Sequence, residues 1–403
     1  MPPAAQLEGP NAEPSGTSAV IGEQERIDRL RLIRSENVGP ITFRRLIARF
    51  GTAAAALRAL PRLARRGGTP VAPRICTAAE AEAELAALAA VRARLVAIGE
   101  PDYPPLLANV DDAPPLIAML GNADLLRRPS IAMVGARNAS LNGRRIAADL
   151  ARDLGAAGFC VVSGLAHGID AAAHAAALAS GTVAVLAGGI DVVYPQDHQE
   201  LYEAIAERGL ILAEMPPGLR PQAGHFPRRN RLISGSCRGV VVVEASLRSG
   251  SLITARLALE QGREVMAVPG SPLDPRARGA NDLIRQGAAL VESAADVLDA
   301  LSRQAPRPGL ALNAIPPHAD ADTDIGSAEG ADPEGGSHEL DAGERIAAAL
   351  TAAPVTVDEL IRSCQLSPPL VNTILLEWEL AGRIERLPGN RIAMIAFAKS
   401  PSR

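Results

Sequence analysis

Between about Val96 and Leu301, short β-branched runs alternate with Ala-rich stretches of helical spacing, and no other pattern in the chain restricts its fold as strongly. Ile131–Val134, Phe159–Val162, Val183–Leu186, Leu210–Ala213, Val240–Glu244 and Glu264–Val268 predict strands. Gly143–Leu154, Asp170–Ala179, Gln199–Glu207, Arg228–Ser234 and Leu252–Gln261 predict the helices between them. Such alternation predicts an α/β fold with a Rossmann-like, doubly wound parallel sheet, because each parallel pair needs a crossover and the crossover helices cover both faces. Ligands of such sheets bind at the carboxyl ends of the strands, so chemistry is sought in the loops that follow them.

Other segments flank this core of residues 91–303. Residues 1–20 are rich in Pro, Ala, Gly and Glu and read as a disordered leader. Residues 21–90 predict a small all-α domain. Ile27, Leu30 and Ile33, then Ile41, Phe43, Leu46, Ile47 and Phe50, recur at helical spacing around Asn37-Val38-Gly39-Pro40. This helix-hairpin-helix or SAM-like outline either offers backbone amides to a DNA phosphate or simply packs. Residues 304–340 read as a flexible acidic linker. In residues 341–398, three short helices (Glu344–Leu350, Val357–Cys364, Pro368–Ala381) precede a hairpin of Arg383–Leu387 and Arg391–Ile395, the outline of a winged helix.

The charge balance sharpens the question of partners. The 403 residues carry 41 basic and 45 acidic side chains, a net charge of −4. Nine of the acids, from Asp320 to Glu344, lie between Arg307 and Arg345 with no base among them; the remainder has 41 basic against 36 acidic residues. That remainder is mildly basic, and Lys399 is its only lysine. Arginine forks onto phosphate oxygens and keeps its charge, although genomic base composition also produces such a bias. No stretch has ~18 uninterrupted apolar residues and no signal peptide is legible, so a cytoplasmic location is expected. Cys76, Cys160, Cys237 and Cys364 form no C-x-x-C pair and read as buried thiols.

Three strand exits and one basic stretch carry candidate chemistry. Gly135-Ala136-Arg137-Asn138-Ala139-Ser140 keeps a glycine for close approach but puts an arginine in the turn, which suits an exposed phosphate. Ser163-Gly164-Leu165-Ala166-His167-Gly168-Ile169-Asp170 reads either as an anion nest at a helix start or as plain capping by Ser163 and Asp170. His167, His174 and Asp170 raise the question of metal or acid–base work, but no further ligand is close in sequence, and no metal is expected. Ser249-Gly250-Ser251-Leu252-Ile253-Thr254 opens another hydroxyl-rich helix. From Arg220 to Arg256 lie seven arginines and one acid, Glu244, with Phe226 directly before Pro227-Arg228-Arg229-Asn230-Arg231. Arginines that neutralise phosphates around an aromatic that stacks a base describe sequence-independent single-strand binding. Glu244 is expected to position arginines by ion pairing. There is no P-loop, no G-x-S-x-G and no paired carboxylate motif, so no catalytic residue and no cofactor are expected.

Val134-Gly135-Ala136-Arg137, the Ser163 to Asp170 loop, Ala187-Gly188-Gly189-Ile190-Asp191, Phe226 to Ser234, and Ser249 to Ala255, in that order, resemble the DNA-processing protein A (DprA/Smf) family over about Pro101–Leu298. The resemblance implies a non-enzymatic protein that binds single-stranded DNA, protects incoming DNA in natural transformation and homologous recombination, and helps load the RecA recombinase. It also implies a homodimer through the Rossmann-like domain. By motif position, Gly135 and Arg137 would approach one phosphate, Ser163 and Gly164 a second, and Gly250, Ser251 and Thr254 a third. Arg228 and Arg231 would supply charge and Phe226 a base platform, with Asn230 and Arg248 as further contacts.

Two other classes use the same features. A nucleoside-monophosphate glycosidase would place a nucleotide in the crevice, but Ala187-Gly188-Gly189-Ile190-Asp191-Val192 lacks the Gly-Thr of its P-G-G-x-G-T loop. A winged-helix transcriptional regulator would read duplex DNA with Leu370–Leu380, yet that segment carries Glu377 and Glu379 and no base. A protein-contact role is expected for it, and the acidic linker is expected to compete with DNA for the arginines.

Overall fold

The computed structural model describes residues 20–69, 72–304, 335–351, 353–387 and 390–395. The leader and most of the acidic linker read from the sequence lie outside the described residues.

A nine-stranded sheet forms the core, with strands β1 Arg94–Ala97, β2 Leu116–Gly121, β3 Ser130–Val134, β4 Cys160–Ser163, β5 Thr182–Gly189, β6 Leu210–Met215, β7 Gly239–Val242, β8 Glu264–Ala267 and β9 Ala289–Leu290. Their spatial order is β1-β2-β6-β5-β4-β3-β7-β8-β9. From β3 the chain winds outward through β4, β5 and β6, then crosses back to β7 and winds the other way, so β3 and β7 flank the topological switch. The strands from β3 to β9 pair in parallel. β1 and β2 add an antiparallel extension on β6, so the sheet is mixed where the sequence predicted a parallel one.

Side-chain alternation sorts the two faces. Ile131 and Met133 of β3 pack with helices Leu141–Ala156 and Ile169–Ala177 on one side. Ala132 and Val134 pack with helices His225–Gly235 and Ser251–Glu260 on the other. Every residue of β3, β4 and β5 is buried, which is why their sequences are continuous apolar runs.

Helices Glu23–Arg34, Pro40–Phe50, Ala53–Arg66 and Ala78–Ala90 make the N-terminal unit. Pro40 starts its helix, where a missing N–H is harmless. Ile27, Leu30, Ala81 and Leu88 share a core with β1, β2, β5 and β6, so this unit is seated on the antiparallel extension.

The C-terminal unit has helices Gly335–Ala349, Val357–Cys364 and Pro368–Leu380, and a three-stranded sheet of Val355–Thr356, Ile384–Leu387 and Arg391–Met394. Helix Pro368–Leu380, the element a winged helix would lay in a groove, instead packs on helix Ala53–Arg66. Leu376 and Leu380 join Leu32, Val38, Phe43, Leu60 and Leu63 in one buried cluster. Asn37 Nδ2 donates to the Leu380 carbonyl at 3.2 Å, and Glu377 pairs with Arg66 at 3.1 Å.

Candidate nucleic-acid interface

The carboxyl ends of β3, β4, β5 and β7 converge on one face. One helix start and one loop of backbone amides there are filled by the protein's own acids. Glu244, just after β7, accepts from the Ser140 backbone N–H at 2.9 Å and from Ser140 Oγ at 2.5 Å, at the N-terminus of helix Leu141–Ala156. Its direct contacts are thus with the Ser140 cap, while its charge also acts on Arg276, outside the Arg220–Arg256 stretch. Asp170 accepts from the N–H groups of Gly164 and Ala166 at 3.1 and 3.3 Å. These amides are donors an anion nest after β4 would offer; Asp170 holds them from within helix Ile169–Ala177, whose own start at Gly168 has no side-chain cap. Asp170 is fully enclosed, and burial pushes its carboxyl above the usual range against the pull of Arg229 and the two amides.

Arg229 explains the small residue at 164. Its Nη1 donates to the carbonyl oxygens of Gly164 and Val185 at 2.6 Å each. Burial lowers its guanidinium to about 10, with Asp170 opposing the shift. His174 is likewise enclosed: Nε2 accepts from the Leu165 N–H at 3.3 Å and Nδ1 lies 2.7 Å from Thr182 Oγ1. Burial, helped by Arg229 and His198, lowers it to about 3, so the ring is neutral.

The twelve expected site residues divide by burial. Six face inward. Gly135 is only half-buried and is not one of these six; a Cβ there would lie 2.5 Å from Ile169 Cγ1, so close packing requires a glycine at this turn. Ser163 donates to the Met133 carbonyl at 2.6 Å and is fully buried, beside Gly164 already described. Asn230 links Arg229 Nε to the Gly250 carbonyl, at 3.2 and 3.4 Å. Arg231 is 5% exposed and its fork is taken by Glu214 at 2.6 Å and by the Asp112 carbonyl at 2.6 Å. Its charge is therefore spent inside the fold, a departure from the expected phosphate contact. Thr254 is 1% exposed on the buried face of its helix.

The remaining six stay near the surface. Arg137 and Arg248 are exposed and form no ion pair among the described residues. Arg228 is half-exposed and stands 3.8 Å from Glu214. Gly250, exposed, begins helix Ser251–Glu260 without a side-chain cap; Ser251 itself, at 7% exposed, belongs with the buried six, its Oγ 2.7 Å from Ser249 Oγ. Phe226 has the Arg137 guanidinium 5.0 Å from its ring centroid. On it also leans Tyr194, 48% exposed, at 5.6 Å between centroids. Sequence reading missed Tyr194: it follows β5, 32 residues before Phe226, and only the sheet topology joins the two loops.

The arrangement sets arginines and aromatic rings at the carboxyl ends of the strands, with a neighbouring helix start and the amides of the loop after β4 held by internal carboxylates. It defines a binding protein of the Rossmann-like class, carrying a helical unit before the sheet and a winged helix after it. The family model described as DNA recombination-mediator protein A matches residues 94–302, the DprA-like N-terminal HHH domain residues 23–87, and the DprA winged helix domain residues 331–390. The chain belongs to the DNA recombination-mediator protein A family, whose members process DNA in recombination. DNA processing protein DprA of Streptococcus pneumoniae is 48% identical over 198 residues, 49% of this chain and 70% of that protein. Protein Smf of Escherichia coli is 37% identical over 301 residues, 72% of this chain and 75% of that protein. The crystal structure of the Streptococcus pneumoniae protein covers 70% of this chain and 98% of its own, at 36% identity and a TM-score of 0.58. Among the described residues, no helix is long and apolar enough to cross a membrane.

Proposed function

We propose that this chain binds single-stranded DNA across the carboxyl ends of β3, β5 and β7 and acts as a mediator that protects the strand and passes it to the RecA recombinase. The observation that carries the reading is the Arg137–Phe226–Tyr194 cluster, with Arg228 on the same helix as Phe226 and Arg248 exposed in the loop after β7. The aromatic rings accept any splayed base, while the exposed arginines take the phosphates nearby; duplex DNA keeps its bases stacked and out of reach. The family's description as recombination mediators supports the RecA step. A cytoplasmic location and a homodimer through the Rossmann-like domain complete the proposal. Leu273 and Leu290, 91% and 48% exposed near the β8–β9 edge, offer apolar area for the dimer contact.

The site does not favour a nucleotide-hydrolysing enzyme, because Glu244 and Asp170 sit where a nucleotide's phosphates would meet amides. Nor does it favour a regulator reading duplex DNA through Pro368–Leu380, whose Leu376 and Leu380 are buried on the N-terminal helices.

The test is fluorescence anisotropy of labelled single-stranded and duplex oligonucleotides of the same sequence at two salt concentrations. Single-strand preference with steep salt dependence is expected. Equal affinity for both forms would overturn the reading.

A further inference from the structure

His167 stands in the loop after β4, and Asp197 and His198 lie in the short helical turn Gln196–His198 after β5. One donor atom from each lies within 4.8 Å of the others. His167 Nδ1 is 3.6 Å from Asp197 Oδ2, and the two imidazole rings meet edge to face at 4.8 Å between centroids. The grouping that the sequence offered, His167 with His174 and Asp170, is dissolved by the fold, since His174 and Asp170 are buried and hold backbone amides. The partners of His167 come from another strand exit.

The orientation of His198 is fixed from behind. Its Nδ1 lies 3.0 Å from the Leu165 carbonyl oxygen. A carbonyl only accepts, so Nδ1 carries the proton and Nε2 keeps its lone pair. This is the arrangement by which backbone carbonyls orient metal-bound histidines. Leu165 is itself held: its N–H donates to His174 Nε2 at 3.3 Å, and its φ of 55° is a left-handed conformation that a leucine adopts only when its surroundings impose it. The two buried contacts of Leu165 thus build a rigid support beneath a surface-facing imidazole.

We propose that His167, Asp197 and His198 form a site for one divalent transition-metal ion of borderline softness, such as Zn²⁺ or Co²⁺. Two imidazoles select such ions over Mg²⁺ or Ca²⁺, which prefer all-oxygen sets. Bonds of about 2.0–2.1 Å on a tetrahedral ion place ligand atoms about 3.3 Å apart. The trio must therefore draw in, and His167 and Asp197, with side chains 47% and 67% exposed, have room to do so. Three protein ligands leave a coordination position open. The trio lies near the strand-binding residues, since Gly168 abuts the backbone of Ala136 and Arg137, and Tyr194 precedes Asp197 by three residues.

The test uses the full chain without a polyhistidine tag and the metal alone, so its outcome is independent of DNA binding. CoCl₂ is titrated while visible absorption is followed, and ZnCl₂ is titrated by calorimetry. One Co²⁺ per chain is expected, with nitrogen and oxygen ligands and no thiolate band, because the four cysteines are buried. Zn²⁺ should displace it and excess Mg²⁺ should not. His167→Ala and His198→Ala should each weaken Co²⁺ binding by about tenfold or more. His167 is at the surface, so His167→Ala is expected to keep the wild-type melting curve. No saturable binding by the wild type, or undiminished binding by a folded His167→Ala variant, would overturn the proposal.

Discussion

Arg229 Nη1 lies 2.1 Å from the point where a side chain at Gly164 would begin. The same nitrogen donates to the Gly164 carbonyl oxygen, so arginine and glycine are chosen together. Gly164→Ala should force the guanidinium out and destabilise the protein. Arg229→Met should lower stability by about 2–4 kcal/mol, because two buried carbonyls lose their donor and Asp170 loses its balancing charge. Urea unfolding reads both; a wild-type midpoint for Arg229→Met would show that this buried guanidinium is dispensable.

Two arginines of similar sequence context should behave in opposite ways. Arg137→Ala is expected to leave melting unchanged, weaken single-strand binding and flatten its salt slope by about one. Arg231→Ala should lower the melting temperature, since it removes the ion pair of Asp112 and leaves buried Glu214 with only the more distant Arg228. A salt slope altered by Arg231→Ala with stability intact would place the DNA differently.

Ring and charge contributions separate in the same assay. Phe226→Ala should weaken binding by about 1–3 kcal/mol without altering the salt slope, and Tyr194→Ala should act in the same direction. If Tyr194→Ala binds as the wild type does, the second ring is not a platform.

Acid should unfold the protein through His174. Its folded value of about 3 lies below an unfolded value of about 6.5, so the unfolded chain takes up the proton first. Stability is full above about 6.5 and falls as the pH drops toward 3, by at most about 1.4 kcal/mol per pH unit. Asp170 acts with the opposite sign: its raised carboxyl favours the folded state at low pH and loses that contribution as pH rises through its folded value. Chemical unfolding of His174→Gln across pH 4–7 should give a flatter profile than the wild type; an identical profile would assign the acid limb to other groups.

Gly67 tests the seat of the winged helix. A Cβ there would come within 2.0 Å of the Glu377 carbonyl oxygen. Gly67→Val should therefore push helix Pro368–Leu380 off the N-terminal helices while leaving the winged helix's own core around Val371, Leu375 and Trp378 intact. Small-angle scattering should show a larger radius of gyration, and an unchanged radius would mean that the contact yields locally.

The sheet was legible where the chemistry of strands is plain. Ile131–Val134 and Val240–Val242 are β-branched or apolar runs ending in loop residues, and the structure pairs them side by side. β1 was invisible as a four-residue segment directly after a helix, β9 has only two residues, and β2 lies behind Pro114 and Pro115. The arginine run marked the right helix but not its buried side. Within His225–Gly235, Arg228 points out while Arg229 and Arg231 point in, and charge counting along a window averages over that rotation. The capture of backbone amides by Glu244 and Asp170 was legible only in part, because Glu244 meets Ser140 across 104 residues.

The contact between Asn37 and Leu380 spans 343 residues of sequence. During synthesis the helix Ala53–Arg66 emerges early, with Leu60 and Leu63 lacking the apolar cover that Leu376 and Leu380 later supply. At about 5–20 residues per second, that surface waits tens of seconds on the ribosome for its lid. The order of synthesis thus leaves the first unit as the last to be completed, and a chain truncated before residue 376 should be more prone to aggregate than its intact central sheet would suggest.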